Sequence, residues 1–158
     1  MVGDLAHAFG MEVLGVSDTL RSMPPWQPFA WCSLEEAFAR ADVIALCSSL
    51  NEKSRGMINS QTLSLMRPGA FLVNAARGGL VVEGDLARAL RDGTIAGAAV
   101  DVVSREPIQP DNPLLTAPRC LITPHIAWAT REARQRLVSA TARNIRAFLD
   151  GAPINVVS

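Results

Sequence analysis

Along the chain, segments in which apolar residues recur every three or four positions alternate with short runs that are apolar almost throughout. The first kind predicts amphipathic helices and the second predicts strands buried on both faces. VGDLAHAF is helical and stops at Gly10, before the run MEVLGV. SLEEAFARA opens on Ser33 as an N-cap with Glu36 three residues later, a capping-box spacing, and leads into DVIALCS. NSQTLSLM ends before Arg67, Pro68 and Gly69, and AFLVNAA follows. EGDLARALRDG has leucine and alanine at helical spacing and stops at Gly93, ahead of IAGAAVDVV. After the proline-rich stretch REPIQPDNPLLTAPR comes CLITP, then an amphipathic helix from about Thr130 to Asp150.

Helices alternating with almost wholly apolar strands predict an α/β protein with a doubly wound parallel sheet covered on both faces. The stretch SMPPWQPFAW predicts a surface loop, because its three prolines deny it regular structure. Trp26 and Trp31 then serve loop packing. No repeat of fixed period and no low-complexity segment is present.

Composition adds little to this picture but narrows the partners. The 158 residues, 49% hydrophobic, suffice for one core. Fifteen basic residues balance fifteen acidic ones, so no net field recruits nucleic acid or an anionic membrane surface. A small ligand or a protein partner is expected instead. Cys32, Cys47 and Cys120 are odd in number and lack a C-x-x-C spacing, which argues against disulfides and against a zinc site. No apolar stretch approaches the roughly 20 residues of a membrane span, and the first residues have no leader pattern. The expectation is a soluble, cytoplasmic protein with reduced thiols.

In open α/β sheets, ligands bind outside the carboxyl ends of the strands. After FLVNAA comes Arg77 with Gly78 and Gly79; after AAVDVVS come Arg105 and Glu106; after LITP comes His125. An arginine, a carboxylate and a histidine thus follow three successive strands. Arginine offers a planar fork for a substrate carboxylate. Histidine gives or takes a proton near neutrality, and a carboxylate on its second nitrogen would fix the tautomer and raise its pKa. The set suits reduction of a 2-oxo acid by a hydride from a bound cofactor. Each residue alone has a plainer reading: Arg77 as a turn arginine, Glu106 as a solvated loop charge, His125 as a histidine at a strand end. His7, in a short polar-faced helix, reads as structural. Trp128, three residues past His125, either lines the site or joins the core.

The stretches RGMINSQTLSLMRPGAFLVNAARGGLV, LARALRDGTIAGAAVDVVSREP, DNPLL and ITPHIAWAT closely resemble the D-isomer-specific 2-hydroxyacid dehydrogenases, and the ending TPHIAWAT with AFLDGAPINVV is most similar to their glycerate dehydrogenase (hydroxypyruvate and glyoxylate reductase) branch. The resemblance implies a Rossmann-like nucleotide-binding fold, NAD or NADP as cofactor, a small 2-oxo or 2-hydroxy acid as substrate and a homodimer. It implies Arg77, Glu106 and His125 as the catalytic set, with Arg77 and Trp128 toward the substrate. Asp101 would lie by the nicotinamide amide, and Ala75 and Ala76 would meet the cofactor through backbone. Where the family usually reads L-H-x-P-L, this chain has LCSSL, with Cys47 and Ser49 in place of the histidine and the proline, which alters the adenine-side packing expected around Cys47 and Ser48. At the ribose, Ser17 stands in the acidic register with Asp18 one place later and Arg21 nearby, so the choice between NAD and NADP stays open. Val82 replaces a common aspartate.

The family's glycine-rich fingerprint and the strand before it would precede Val2, as would most of a substrate domain. The expected organisation is therefore a partial dinucleotide-binding domain over residues 1–129, whose sheet lacks its first strand, and a C-terminal helix and tail over 130–158. Strands beside the gap, those near MEVLGV and AFLVN or whichever others flank it, should have unpaired edges, and Leu137, Ile145 and Phe148 of the helix should be exposed or used in self-association. Turnover is expected of the parent enzyme and little of this chain alone. Two other readings are an inactive remnant and a protein akin to the family's nicotinamide-sensing corepressors.

Overall fold

The structure, a computed structural model, describes residues 1–19 and 22–157. The chain divides into two compact units, Met1–Thr123 and Pro124–Ser158. In the first, the order is α1 (Val2–Ala8), β1 (Val13–Gly15), β2 (Phe29–Trp31), α2 (Leu34–Arg40), β3 (Val43–Leu46), α3 (Ser60–Ser64), β4 (Phe71–Asn74), α4 (Glu83–Asp92), β5 (Gly97–Val100) and β6 (Cys120–Ile122). Short 3₁₀ turns cover Gly78–Leu80 and Pro113–Thr116. The second unit is α5 (Arg131–Leu149) with its flanking residues.

Among the described residues every strand pairing is parallel, in two sheets: β1-β2, and β3-β4-β5-β6. This is the α/β, Rossmann-like architecture the sequence predicts. One expectation needs correction. AFLVN forms β4, which is paired on both sides by β3 and β5; the break in the sheet falls between β1 and β3 instead. Sequence pattern identifies a buried strand, but its neighbours are set by where each crossover helix returns it.

A second correction concerns SMPPWQPFAW. Its last three residues are β2, paired with β1 in the register Leu14↔Ala30. Pro28 ends the irregular part, and a proline just ahead of a strand leaves every ladder donor after it intact.

Local signals account for the helix ends. Ser33 Oγ accepts the Glu36 N–H at 3.0 Å, but the reciprocal half of the box does not form, because Glu36 turns to Arg40 at 2.6 Å. The complete box belongs to α3, where Asn59 accepts from Thr62 N–H and the Thr62 hydroxyl takes the Asn59 N–H. Gly93, at φ 72°, ends α4 in the left-handed conformation that glycine adopts without cost to a side chain.

The core lies between the four-stranded sheet and its helices. Leu72 of β4, Leu86 and Leu90 of α4, Leu63 of α3, Ile58 and Ile95 are all fully buried. Each such side chain stabilises the fold by about 2 kcal/mol relative to exposure. α5 buries no residue, and its Leu137, Ile145 and Phe148 are 59%, 57% and 72% exposed, as its apolar face predicts. Among the described residues no helix is long and apolar enough to cross a membrane.

Candidate active site at the carboxyl edge of the sheet

Register fixes the site before any side chain is considered. Leu46, Asn74, Val100 and Ile122 are successive partners across β3, β4, β5 and β6. The next residues, Cys47, Ala75, Asp101 and Thr123, therefore line one edge.

Asn74 organises the middle of that edge. It is 1% exposed, and a buried amide must satisfy its donors and acceptor. Its Nδ2 donates to Arg77 O at 2.9 Å and its Oδ1 accepts Ala76 N–H at 3.1 Å, closing the turn Ala75–Ala76–Arg77. The Asn74 carbonyl in turn accepts Asp101 N–H at 2.8 Å. Arg77 is held by this turn with its side chain exposed, and Nη1 donates back to Ala76 O at 2.7 Å. Ala75 is exposed and Ala76 half-buried.

The next residue clamps two loops together. A Cβ on Gly78 would lie 2.0 Å from both the carbonyl carbon and oxygen of Val103 and 2.5 Å from Ser104 N. No side chain fits there, so the Arg77 turn rests directly on the loop that leaves β5. A Cβ on Gly79 would meet side-chain ends alone, Leu50 at 2.9 Å and Arg55 Nη1 at 3.6 Å. The β5 loop carries Glu106, exposed, whose Oε1 accepts Val103 N–H at 3.4 Å. It is also fastened by Glu83, which takes Ser104 N–H at 2.7 Å, Ser104 Oγ–H at 2.8 Å and Asn112 Nδ2 at 3.0 Å. Asp101 is buried, and its Oδ1 accepts the Thr123 hydroxyl at 2.5 Å.

The other residues singled out in the sequence fall as follows. Ser17 and Asp18 are exposed just past β1, where Ser17 Oγ accepts Thr19 N–H at 3.3 Å. Arg21 lies outside the described residues. Cys47 and Ser48 are exposed at the end of β3. Within the first unit, then, Arg77, Glu106, Asp101, Ala75 and Ala76 are brought together on adjoining loops, while Ser17 and Asp18 stand at the end of the separate sheet.

His125 belongs to the second unit, two residues after Thr123. It is exposed with φ 54°, a left-handed conformation uncommon outside glycine. The Trp128 Nε1–H donates to its carbonyl at 2.9 Å, so the indole braces the turn that presents the imidazole. At 54% exposed, Trp128 has no core role. His7 stacks on Trp26 at 4.6 Å, and Trp26, Phe29 and Trp31 continue edge to face. These are packing contacts, as the sequence suggests, although Trp31 makes its own from within β2. Burial pushes the thiols of Cys32 and Cys120 up, leaving them less able to ionise.

Sequence reading missed Asn74 and Glu83. Asn74 sits in the quoted NAARGG run, and an amide ending an apolar strand was the available signal. Nothing local points from Glu83 to Ser104, 21 residues on.

The donors and acceptors present suit a nicotinamide dinucleotide. A carboxylate fixed by a hydroxyl, as Asp101 is by Thr123, can take the N–H of a carboxamide. The small side chains of Ala75, Ala76, Cys47 and Ser48 leave the strand ends open to close backbone approach. Asp18, exposed, can accept ribose hydroxyls.

Comparison with known proteins identifies the same kind of domain. The sequence model described as D-isomer specific 2-hydroxyacid dehydrogenase, NAD binding domain, matches residues 1–127. The hydroxypyruvate reductase of Blautia hydrogenotrophica is 42% identical over 156 residues, 99% of this chain and 48% of that protein. An acyclic imino acid reductase solved with NADPH and D-Arg superposes with a TM-score of 0.91 at 30% identity, covering 99% of this chain and 49% of its own. The NAD-complexed D-isomer specific 2-hydroxyacid dehydrogenase of Lactobacillus delbrueckii ssp. bulgaricus gives 0.87 at 27% identity, covering 99% and 51%. The chain spans about half the length of the curated relatives it matches, 48% in the first of these comparisons.

Proposed function

Because the chain belongs to the D-isomer specific 2-hydroxyacid dehydrogenases, through their NAD-binding domain, we propose that it serves the NAD(P)-dependent reduction of a 2-oxo acid such as hydroxypyruvate or glyoxylate to the D-2-hydroxy acid. The reduced nicotinamide, when bound, supplies the hydride. Arg77 holds the substrate carboxylate by its guanidinium fork. His125 gives its proton to the carbonyl oxygen as that oxygen gains charge, and Glu106 completes the catalytic set that the family resemblance implies. Asp101 takes the carboxamide N–H, which fixes the ring face presented to the substrate. Ala75 and Ala76 meet the cofactor through backbone, Ser17 and Asp18 lie at its ribose, and Cys47 and Ser48 pack beside its adenine half. Trp128 holds the His125 turn and borders the substrate.

The observation that carries this reading is the contact of Gly78 with Val103 and Ser104, which seats an arginine loop directly against a glutamate loop at the carboxyl edge of a parallel sheet. A cytoplasmic homodimer, with the catalytic steps completed in a protein of the relatives' length, is part of the same proposal.

The test is a titration of the chain with NADH and NADPH, read by energy transfer from its tryptophans, beside turnover of hydroxypyruvate and glyoxylate. Saturable binding is expected, weakened about tenfold in Asp101→Asn, which keeps an acceptor for Thr123 but loses the charge. His125→Ala should lower any turnover by about 10²-fold or more while leaving cofactor affinity unchanged. Absence of binding up to millimolar cofactor, or turnover indifferent to His125, would overturn the reading.

A further inference from the structure

Glu83 is the first residue of α4, six positions after Arg77. A carboxylate in a first helical turn ordinarily serves its own helix end. Here both oxygens point elsewhere: Oε1 to Ser104 N–H at 2.7 Å, Oε2 to Ser104 Oγ–H at 2.8 Å and to Asn112 Nδ2 at 3.0 Å. Hydrogen bonds to a carboxylate are of the stronger kind. Asn112 passes the restraint on, since its Oδ1 caps Leu114 N–H at 3.0 Å in the return leg of the same loop.

The consequence is a clamp. Gly78 lies directly against the peptide between Val103 and Ser104, and Glu83 holds Ser104 by both its N–H and its hydroxyl. Glu106 emerges two residues beyond that peptide and anchors its own Oε1 to Val103 N–H, the first residue in the clamp, at 3.4 Å. We propose that Glu83 is a positioning residue that sets Glu106 relative to Arg77 by fixing the Val103–Ser104 peptide. This rests on the roles just assigned to Arg77 and Glu106, and gives Glu83 no contact with substrate or cofactor.

The experiment compares the wild-type chain with Glu83→Ala and Glu83→Gln by amide exchange at Val103 and Ser104, carboxyl NMR titration of Glu106, thermal melting, NADH affinity, and turnover against pH. In Glu83→Ala the two amides should exchange about tenfold faster or more, and the Glu106 titration should move. Turnover should fall about tenfold with NADH affinity unchanged. The pH dependence of turnover should change as well, because the Glu106 carboxylate no longer keeps its wild-type place. Glu83→Gln, which keeps one acceptor for Ser104 N–H, should fall between. Unchanged exchange and an unchanged Glu106 titration would overturn the proposal. So would a lower melting temperature with turnover and pH profile intact, which would make Glu83 a brace of the fold alone. A wild-type chain without saturable NADH binding would count against the functional reading, and the exchange and titration would still decide the role of Glu83.

Discussion

Between the two sheets of the first unit, the strands themselves differ little: VLG and FAW on one side, VIAL, FLVN, GAAV and CLI on the other. Their surroundings differ a great deal. β1, β2 and α1 contain no buried residue, whereas the buried hydrophobic residues run from Phe38 onward and gather around β3 to β6. The four-stranded sheet is backed by α3 and α4, with the turn at Pro113–Thr116 closing over it. The two-stranded sheet is filled by its own aromatic rings, with Phe29 and Trp31 lying over Gly15. An apolar strand becomes core only when a second layer covers it, and that layer is supplied by other parts of the chain.

The largest test of this contrast is a pair of truncations. Leu72→Ala, at a fully buried position, should cost about 3 kcal/mol. Leu14→Ala, half-buried in β1, should cost about 1 kcal/mol or less. Urea melts measure both, and equal costs would make the two sheets one cooperative core.

A second pair sharpens the comparison at glycines. Gly78→Ala would force a methyl into backbone and should destabilise by about 2 kcal/mol, with the Arg77 and Glu106 loops driven apart. Gly15→Ala meets ring atoms of Trp31 and Phe29 at 2.6 and 2.7 Å. Those rings can turn, so its cost should stay below about 1 kcal/mol. A larger loss at Gly15 would mean that the aromatic cluster is as rigid as the main core.

The smallest effect is in thiol reactivity. Cys32 follows β2 and Cys120 opens β6, and burial pushes both thiols up, so each has less thiolate at a given pH than an exposed cysteine. Labelling at pH 8 should modify the exposed Cys47 first, then Cys32 in the thinly covered sheet, then Cys120. Cys120 reacting ahead of Cys32 would reverse the order of stability assigned to the two sheets.

What the sequence shows and what it hides divide along the same physical line. Helix ends at Ser33, Gly93 and Thr130 are legible because a cap is a contact between residues a few positions apart. Arg77 and Glu106 stand out because strand ends are local and a parallel sheet aligns them, whereas Asp101 is singled out only by the family resemblance. β2 was hidden by the prolines before it. The neighbours of β4 and the hold of Glu83 on Ser104 are long-range facts, with no periodicity or spacing to announce them.

The two glycines after Arg77 are alike on paper and unlike as inherited information. At Gly79 a larger residue meets the tip of one leucine, which can swing aside. At Gly78 it meets a peptide group that has nowhere to go. One codon can drift while the one beside it is held to a single amino acid, and what holds it is the backbone of a residue 25 positions downstream.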